Sequence, residues 1–74
     1  MKKIQVGKFE ICIGSHTEDM GYFEHDVYGD ELGGGLWFEG KKLVDYDGVY
    51  SLPDEVIEGL EKLGYDASYA KGGE

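Results

Sequence analysis

Residues 4–13 read IQVGKFEICI, and the positions of their apolar side chains decide the first part of the fold. Apolar and polar residues alternate on both sides of Gly7-Lys8, but the parity of the alternation changes at this dipeptide. A two-residue turn of type II′, which favours glycine first, explains the change and pairs Val6 with Phe9. All the apolar side chains of this hairpin then share one face. A single long strand with a bulge at Gly7 is the alternative interpretation.

The middle of the chain predicts three further strands. Residues 22–28 alternate, with Phe23, His25 and Val27 on one face, and so predict a strand. The glycine-rich residues 29–35 predict a flexible or strained connection. Residues 36–45 predict a second hairpin that turns at Gly40-Lys41. Because both faces of this hairpin carry apolar residues, we expect it to be central in the sheet or covered on both sides.

One helix is predicted over about residues 53–63, on an i, i+1, i+4, i+7 apolar pattern. The apolar stripe consists of Val56, Ile57, Leu60 and Leu63. Ser51 and Asp54 have the spacing of a capping box, and Gly64 suits the position after the last turn. Residues 65–70 predict a short last strand. The order indicates one α+β domain over residues 1–74, with a mainly antiparallel sheet of about four to five strands and one helix packed on it.

The composition limits the classes of protein to which this chain can belong. Its 74 residues carry 16 acidic side chains against 7 lysines, a formal net charge of -9. Such a charge argues against direct binding to nucleic acid or to an anionic membrane. A hydrophobic content of 41% is too high for a disordered acidic tail. A single cysteine excludes an intrachain disulfide, and no apolar run is long enough for a signal or a membrane span, so we expect a soluble cytoplasmic protein.

The sequence predicts neither enzymatic activity nor a cofactor. Cys12 alternates with two isoleucines, which indicates a small buried side chain on the other face of the sheet and not a nucleophile. His16 and His25 do not have the spacing of a zinc site, so no metal is expected. Asp45-Tyr46-Asp47-Gly48 is similar to an EF-hand loop, but Leu43 stands where the first acidic ligand is needed.

The acidic residues are segregated from the lysines. Residues 9–40 contain eight acids and no lysine, and residues 43–61 contain six more, again without lysine. Asp54, Glu58 and Glu61 form a ridge opposite the apolar stripe of the predicted helix. The helix dipole favours acids in the first turn only, so Glu61 indicates a reason outside the helix. The residues predicted to bind a partner are Asp30, Glu31, Asp45, Tyr46, Asp47, Tyr50, Asp54, Glu58 and Glu61.

Two segments of the chain carry a resemblance to a known class of proteins. Residues 33–40 (GGGLWFEG) and 43–53 (LVDYDGVYSLP) look like segments of small proteins from phages and mobile elements. In size, acidity and hairpin-plus-helix layout the whole chain resembles phage anti-CRISPR proteins, several of which act as DNA mimics. The resemblance implies an inhibitor in the host-cell cytoplasm whose partner is a basic nucleic-acid-binding complex, with a CRISPR effector favoured. It transfers no functional residue to this chain.

Three functions therefore remain open. The first is an acidic inhibitor whose carboxylates replace phosphates in a basic groove and block access of DNA or RNA. The second is a non-catalytic interaction module or accessory subunit that docks through the aromatic surface near Trp37. In the third, the acidity serves only solubility.

Overall fold

Five β-strands form one antiparallel sheet in the computed structural model, which describes residues 2–71. The strands are β1 (Lys2–Val6), β2 (Phe9–Ile13), β3 (Met20–His25), β4 (Gly29–Glu39) and β5 (Lys42–Tyr46). They lie side by side in chain order. Helix α1 (Asp54–Lys62) and the four-residue helix α2 (Ser68–Lys71) follow the last strand. The α+β class with a five-stranded antiparallel sheet is therefore confirmed.

The first hairpin turns where the change of parity predicts. Val6 lies opposite Phe9, and Gly7 adopts a φ of 58°, a conformation that L side chains rarely adopt. The alternative of one long strand with a bulge is therefore wrong. The apolar side chains of the hairpin lie on the face of the sheet against which α1 packs.

Strand β3 ends earlier than the alternation of residues 22–28 predicts. The buried His25 accepts hydrogen bonds at Nδ1 from the Val27 amide at 3.0 Å and from the Tyr28 amide at 3.4 Å. These bonds close a turn, and Val27, expected on the face of Phe23, is 72% exposed. The prediction for Val27 is wrong because the imidazole competes with the strand ladder for the backbone donors.

The glycine-rich segment is part of a strand and not a flexible connection. Gly33 lies opposite Glu24, and Gly34 lies opposite Phe23. A Cβ atom at Gly34 would come within 1.8 Å of the Asp47 carbonyl oxygen. The glycines therefore allow two backbone segments to approach closely, which pattern alone cannot distinguish from a loop.

The second hairpin turns at Gly40-Lys41 as predicted, with Gly40 at a φ of 65°. It lies at the edge of the sheet, however, and not at its centre. A single parallel bridge joins Lys42 to Asp66 beside β5, and this bridge replaces the short last strand expected over residues 65–70. The chain then enters α2, whose first amide is accepted by the Asp66 carboxylate. The expected central position of the second hairpin and the expected last strand over residues 65–70 are therefore both wrong.

Helix α1 covers almost the predicted residues, but its start differs. Its N-cap is Pro53, which has extended backbone and no side-chain cap, so the expected capping box of Ser51 and Asp54 does not form. The Pro53 carbonyl instead accepts the amides of Val56 and Ile57. Gly64 follows the last turn with a φ of 95°, as expected of a helix C-terminus.

The core lies between α1 and one face of the sheet. It includes the apolar residues of the first hairpin, of β3 to β5 and of the helix. Its buried members are Val6, Phe9, Ile11, Ile13, Phe23, Leu36, Phe38, Leu43, Leu52, Val56, Ile57, Leu60, Tyr65 and Ala67. Cys12, on the other face, is 1% exposed, which confirms the prediction of a small buried side chain. Over residues 2–71 no helix is long and apolar enough to cross a membrane.

Candidate partner-binding surfaces

The acidic ridge of α1 is exposed on the side of the molecule that carries the helix. Asp54, Glu58 and Glu61 are all exposed. Glu61 forms an ion pair with Lys71 of α2, so its place near the helix C-terminus has a reason within the fold. Asp54 stands in the first turn, where the helix dipole favours a carboxylate. Neither an ion pair with lysine nor the helix dipole therefore explains the position of Glu58.

Two further predicted acids, Asp45 and Asp47, flank the end of β5 and take part in local hydrogen bonds. The Asp45 carboxylate accepts the amide of Tyr46 at 2.8 Å. The Asp47 carboxylate accepts the amide of Gly35 at 3.0 Å, and the Asp47 amide donates to the Gly35 carbonyl at 3.1 Å. Both side chains remain exposed, so each keeps a free oxygen for a partner while it fixes the backbone near β4.

Asp30 and Glu31 are exposed at the beginning of β4. Asp30 lines a shallow cleft of about 290 Å³ together with Tyr22, Glu24 and Gly33. Gly33 and Gly34 contribute only backbone to its lining, which also includes Phe23. Asp30 therefore shares this cleft with an aromatic ring and a second carboxylate.

The two tyrosines predicted as anchors differ in how much of the side chain is exposed. Tyr46 is half-buried against the core, and its ring meets Tyr69 edge-on at a centroid distance of 5.9 Å. Tyr50 is 105% exposed, so its whole ring is available to a partner. Only Tyr50 has the full contact area that an interface anchor requires.

The nine predicted residues do not form one continuous surface. Asp45 lies opposite Trp37 and shares its face of the sheet, which is the face turned away from the buried Leu36 and Phe38. Helix α1, with its acidic ridge, packs on the other face, against β1 and β2. The acids of the helix and those of the sheet therefore point in opposite directions, and one flat partner surface cannot contact both sets.

The sheet carries a second group of candidate residues, which the segregation of charge along the sequence does not single out. Glu10 of β2 and Glu24 of β3 are direct cross-strand neighbours, and so are Cys12 and Tyr22. Like charges in this position repel each other across the ladder. In the sequence, these residues alternate with Ile11 and Phe23, and this alternation is a signal that places them on the face opposite the core. Their pairing depends on the register of β2 with β3, which the intervening loop leaves open.

Tyr22 stands among these groups with an altered acidity. Hydrogen bonding to Cys12 and the charge of Cys12, together with burial and the carboxylates of Glu24 and Glu10, raise the pKa of Tyr22 to about 12. Tyr22 as a whole is 36% exposed. At neutral pH it presents a neutral hydroxyl and part of an aromatic face to solvent.

Two lysines lie close together at the end of the sheet that carries the β2–β3 loop. The ammonium groups of Lys2 and Lys41 lie 5.4 Å and 5.0 Å from the centroid of the Tyr65 ring, a cation–π arrangement. A cavity of about 670 Å³ opens beside them and is also lined by His16 and Glu18. Within residues 2–71, only Glu10 and Glu61 form ion pairs with lysine, to Lys3 and Lys71.

Comparisons of this chain with models of protein families, with curated proteins and with solved structures find no match. In the described part of the chain, no three side chains of histidine, cysteine, aspartate or glutamate are grouped so that they could hold a metal ion. The surfaces described above are therefore the features from which a function can be inferred.

Proposed function

We propose that this chain is a non-catalytic acidic inhibitor of a nucleic-acid-binding complex of host defence, with a CRISPR effector as the first candidate. It binds the basic surface that receives DNA or RNA and blocks access by mimicry. The observation that carries the proposal is the set of exposed carboxylates that have no lysine partner within residues 2–71. This set includes Asp30, Glu31, Asp45, Asp47, Asp54 and Glu58.

Carboxylates without a lysine partner retain their attraction for cations outside the chain. In an ordinary soluble protein both signs of charge are interspersed, and much of the local field cancels. Here Lys2 and Lys41 are gathered around the ring of Tyr65. A negative field of this kind increases the rate of association with a basic groove and weakens as salt is added.

The test is a competition experiment on a complex captured from the native host. The captured complex is incubated with labelled DNA and rising concentrations of this chain, at low and at physiological ionic strength. Mimicry is supported if the chain displaces the DNA and if this displacement becomes less efficient as salt is added. DNA binding that stays unchanged at saturating concentrations of the chain contradicts it.

A second candidate function is an interaction module that docks through aromatic surface without competing with nucleic acid. It is favoured by the half-buried Trp37, whose ring lies over Gly35, and by the exposed ring of Tyr50. For this function Trp37→Ala or Tyr50→Ala weakens the complex by about 2 kcal/mol or more, if the residue is a hot spot. Neutral variants of the acids, such as Asp45→Asn, leave the affinity almost unchanged. The opposite pattern supports the inhibitor.

A further inference from the structure

The side of the sheet opposite α1 is not covered by any element among residues 2–71. Helix α1 contacts β1 and β2 on the core face, and α2 lies beside β5. We name the uncovered side the open sheet face and define it by Glu10, Tyr22, Glu24, Gly35, Trp37 and Asp45. It joins residues of four neighbouring strands, so it is broad enough to receive another macromolecule.

The open sheet face combines negative charge with aromatic surface. Glu10 and Glu24 are directly opposed, and Asp45 lies opposite Trp37 on the edge strand. Among residues 2–71, Lys3 is the lysine that forms an ion pair with this group: its ammonium lies 3.5 Å from a Glu10 oxygen, and its side chain is 60% exposed. A single loosely held ammonium leaves the face net negative, so its complement is a cationic surface.

The shape of the face favours a planar cation. The cleft lined by Tyr22, Glu24 and Asp30 brings one aromatic ring and two carboxylates together. A guanidinium group can stack on an aromatic ring while its fork of N–H donors meets carboxylate oxygens in its plane. An ammonium makes only point contacts and loses more hydration when it is buried. The cleft therefore has the chemistry of an arginine receptor.

We propose that the open sheet face, and not the acidic ridge of α1, is the surface that docks the partner, and that it does so by receiving an arginine side chain between Tyr22, Glu24 and Asp30. This inference rests on the proposed function for the class of partner, a basic protein surface. It goes further by choosing between the two acidic sides of the molecule and by naming the side chain that is recognised.

The experiment uses two synthetic peptides of equal length and charge, one with arginine and one with lysine as its cations. The single tryptophan of the chain, Trp37, lies on the open sheet face, so its fluorescence reports binding there directly. We expect the arginine peptide to bind several-fold more tightly than the lysine peptide. Equal affinity of the two peptides would overturn the assignment of an arginine receptor.

Two double variants that remove the same charge then locate the site. Glu10→Gln with Glu24→Gln removes two carboxylates from the open sheet face, and Asp54→Asn with Glu58→Gln removes two from the acidic ridge of α1. We expect the first variant to lose about tenfold in affinity for the arginine peptide and the second less than about twofold. Equal losses, or a larger loss in the ridge variant, would overturn the proposal. Far-UV circular dichroism checks that both variants are folded.

Tyr22→Ala and Tyr22→Phe complete the test. The phenylalanine ring keeps the stacking surface, so this variant retains most of the preference for arginine over lysine, whereas alanine loses it. Because the peptides contain no nucleic-acid-binding groove, the result does not depend on the DNA competition assay. If the peptides behave as expected but DNA is not displaced from the captured complex, the arginine receptor stands and the inhibitory function is wrong.

Discussion

Gly59 of α1 lies directly over Ile11 of β2, so a Cβ atom at position 59 would come within 2.8 Å of the Ile11 Cδ1 atom. A methyl group of Val6 is equally close to that position. Glycine in the interior of a helix costs about 1 kcal/mol relative to alanine. Here the burial of apolar side chains offsets this cost, because the missing side chain lets α1 approach the sheet closely enough to bury Val56 and Leu60 completely.

We therefore expect Gly59→Ala to destabilise the fold by about 1–3 kcal/mol despite the higher helix propensity of alanine. The added methyl group forces the buried Ile11 and Val6 out of their positions. Urea unfolding followed by circular dichroism measures the change. The neighbouring variant Glu58→Ala, at an exposed position of the same helix, serves as control and should stay within about 0.5 kcal/mol. An alanine variant at position 59 that is as stable as the parent would show that α1 has room for a side chain there.

The glycines of β4 allow a second comparison between two alanine variants. At Gly34 a Cβ atom would come within 1.8 Å of the Asp47 backbone oxygen, so residues 47 and 48 must move. Gly29 has a φ of 58° and open space around it, so alanine there meets only the local strain of the left-handed region.

We expect Gly29→Ala to cost about 1–2 kcal/mol and Gly34→Ala more than about 3 kcal/mol. Thermal unfolding of the two variants and of the parent shows which variant loses more stability. If the two losses are equal, or Gly29→Ala is the more damaging, then Gly34 is not needed for close approach of the backbone.

The acidity of Tyr22 gives a prediction at alkaline pH. Interaction with Cys12, followed by burial and the nearby glutamates, raises the pKa of Tyr22 to about 12 from the ordinary tyrosine value of 10.0. Because the folded state holds this proton more tightly than the unfolded state, the free energy of unfolding falls as the pH rises from about 10 to about 12.

Tyrosinate absorbance measured against pH tests this assignment. The parent should show a late phase near pH 12, which Tyr22→Phe removes and Cys12→Ala shifts toward 10.0. A late phase that persists in the phenylalanine variant would belong to another tyrosine.

The cross-strand pair of Glu10 and Glu24 predicts a conflict between stability and binding. Glu24→Gln removes a like-charge contact, so we expect the isolated fold to gain about 0.2–1 kcal/mol at low salt. The gain should shrink as the ionic strength reaches about 0.15 M, where the Debye length is about 8 Å. The same variant contributes to the loss of affinity for the arginine peptide.

Glu39→Gln is the matched control for this prediction, since Glu39 lies opposite Lys42 in the ladder. Urea, which is uncharged, serves as denaturant at each salt concentration. Equal gains in the two variants would show that only the net charge of -9 matters and not the contact between the two glutamates.

Part of the candidate site can be predicted from the sequence. The segregation of charge alone predicts Asp45 and Asp47; both are exposed, and Asp45 belongs to the open sheet face. It does not single out Glu10 and Glu24, because only the register of β2 with β3 makes them neighbours. The unfavourable helix dipole singles out Glu61, yet its partner Lys71 lies ten positions away, beyond the helix.

The α+β class, the turns at Gly7-Lys8 and Gly40-Lys41, and the extent of α1 can all be inferred from the order of the residues. These features follow from periodicity and from the backbone freedom of glycine, which act over a few residues. The strand conformation of residues 33–35, and the division of the acids between two opposite sides of the molecule, emerge only in the folded chain. Both outcomes depend on contacts between segments far apart in the chain, and the free energy of such contacts overrides the local preference.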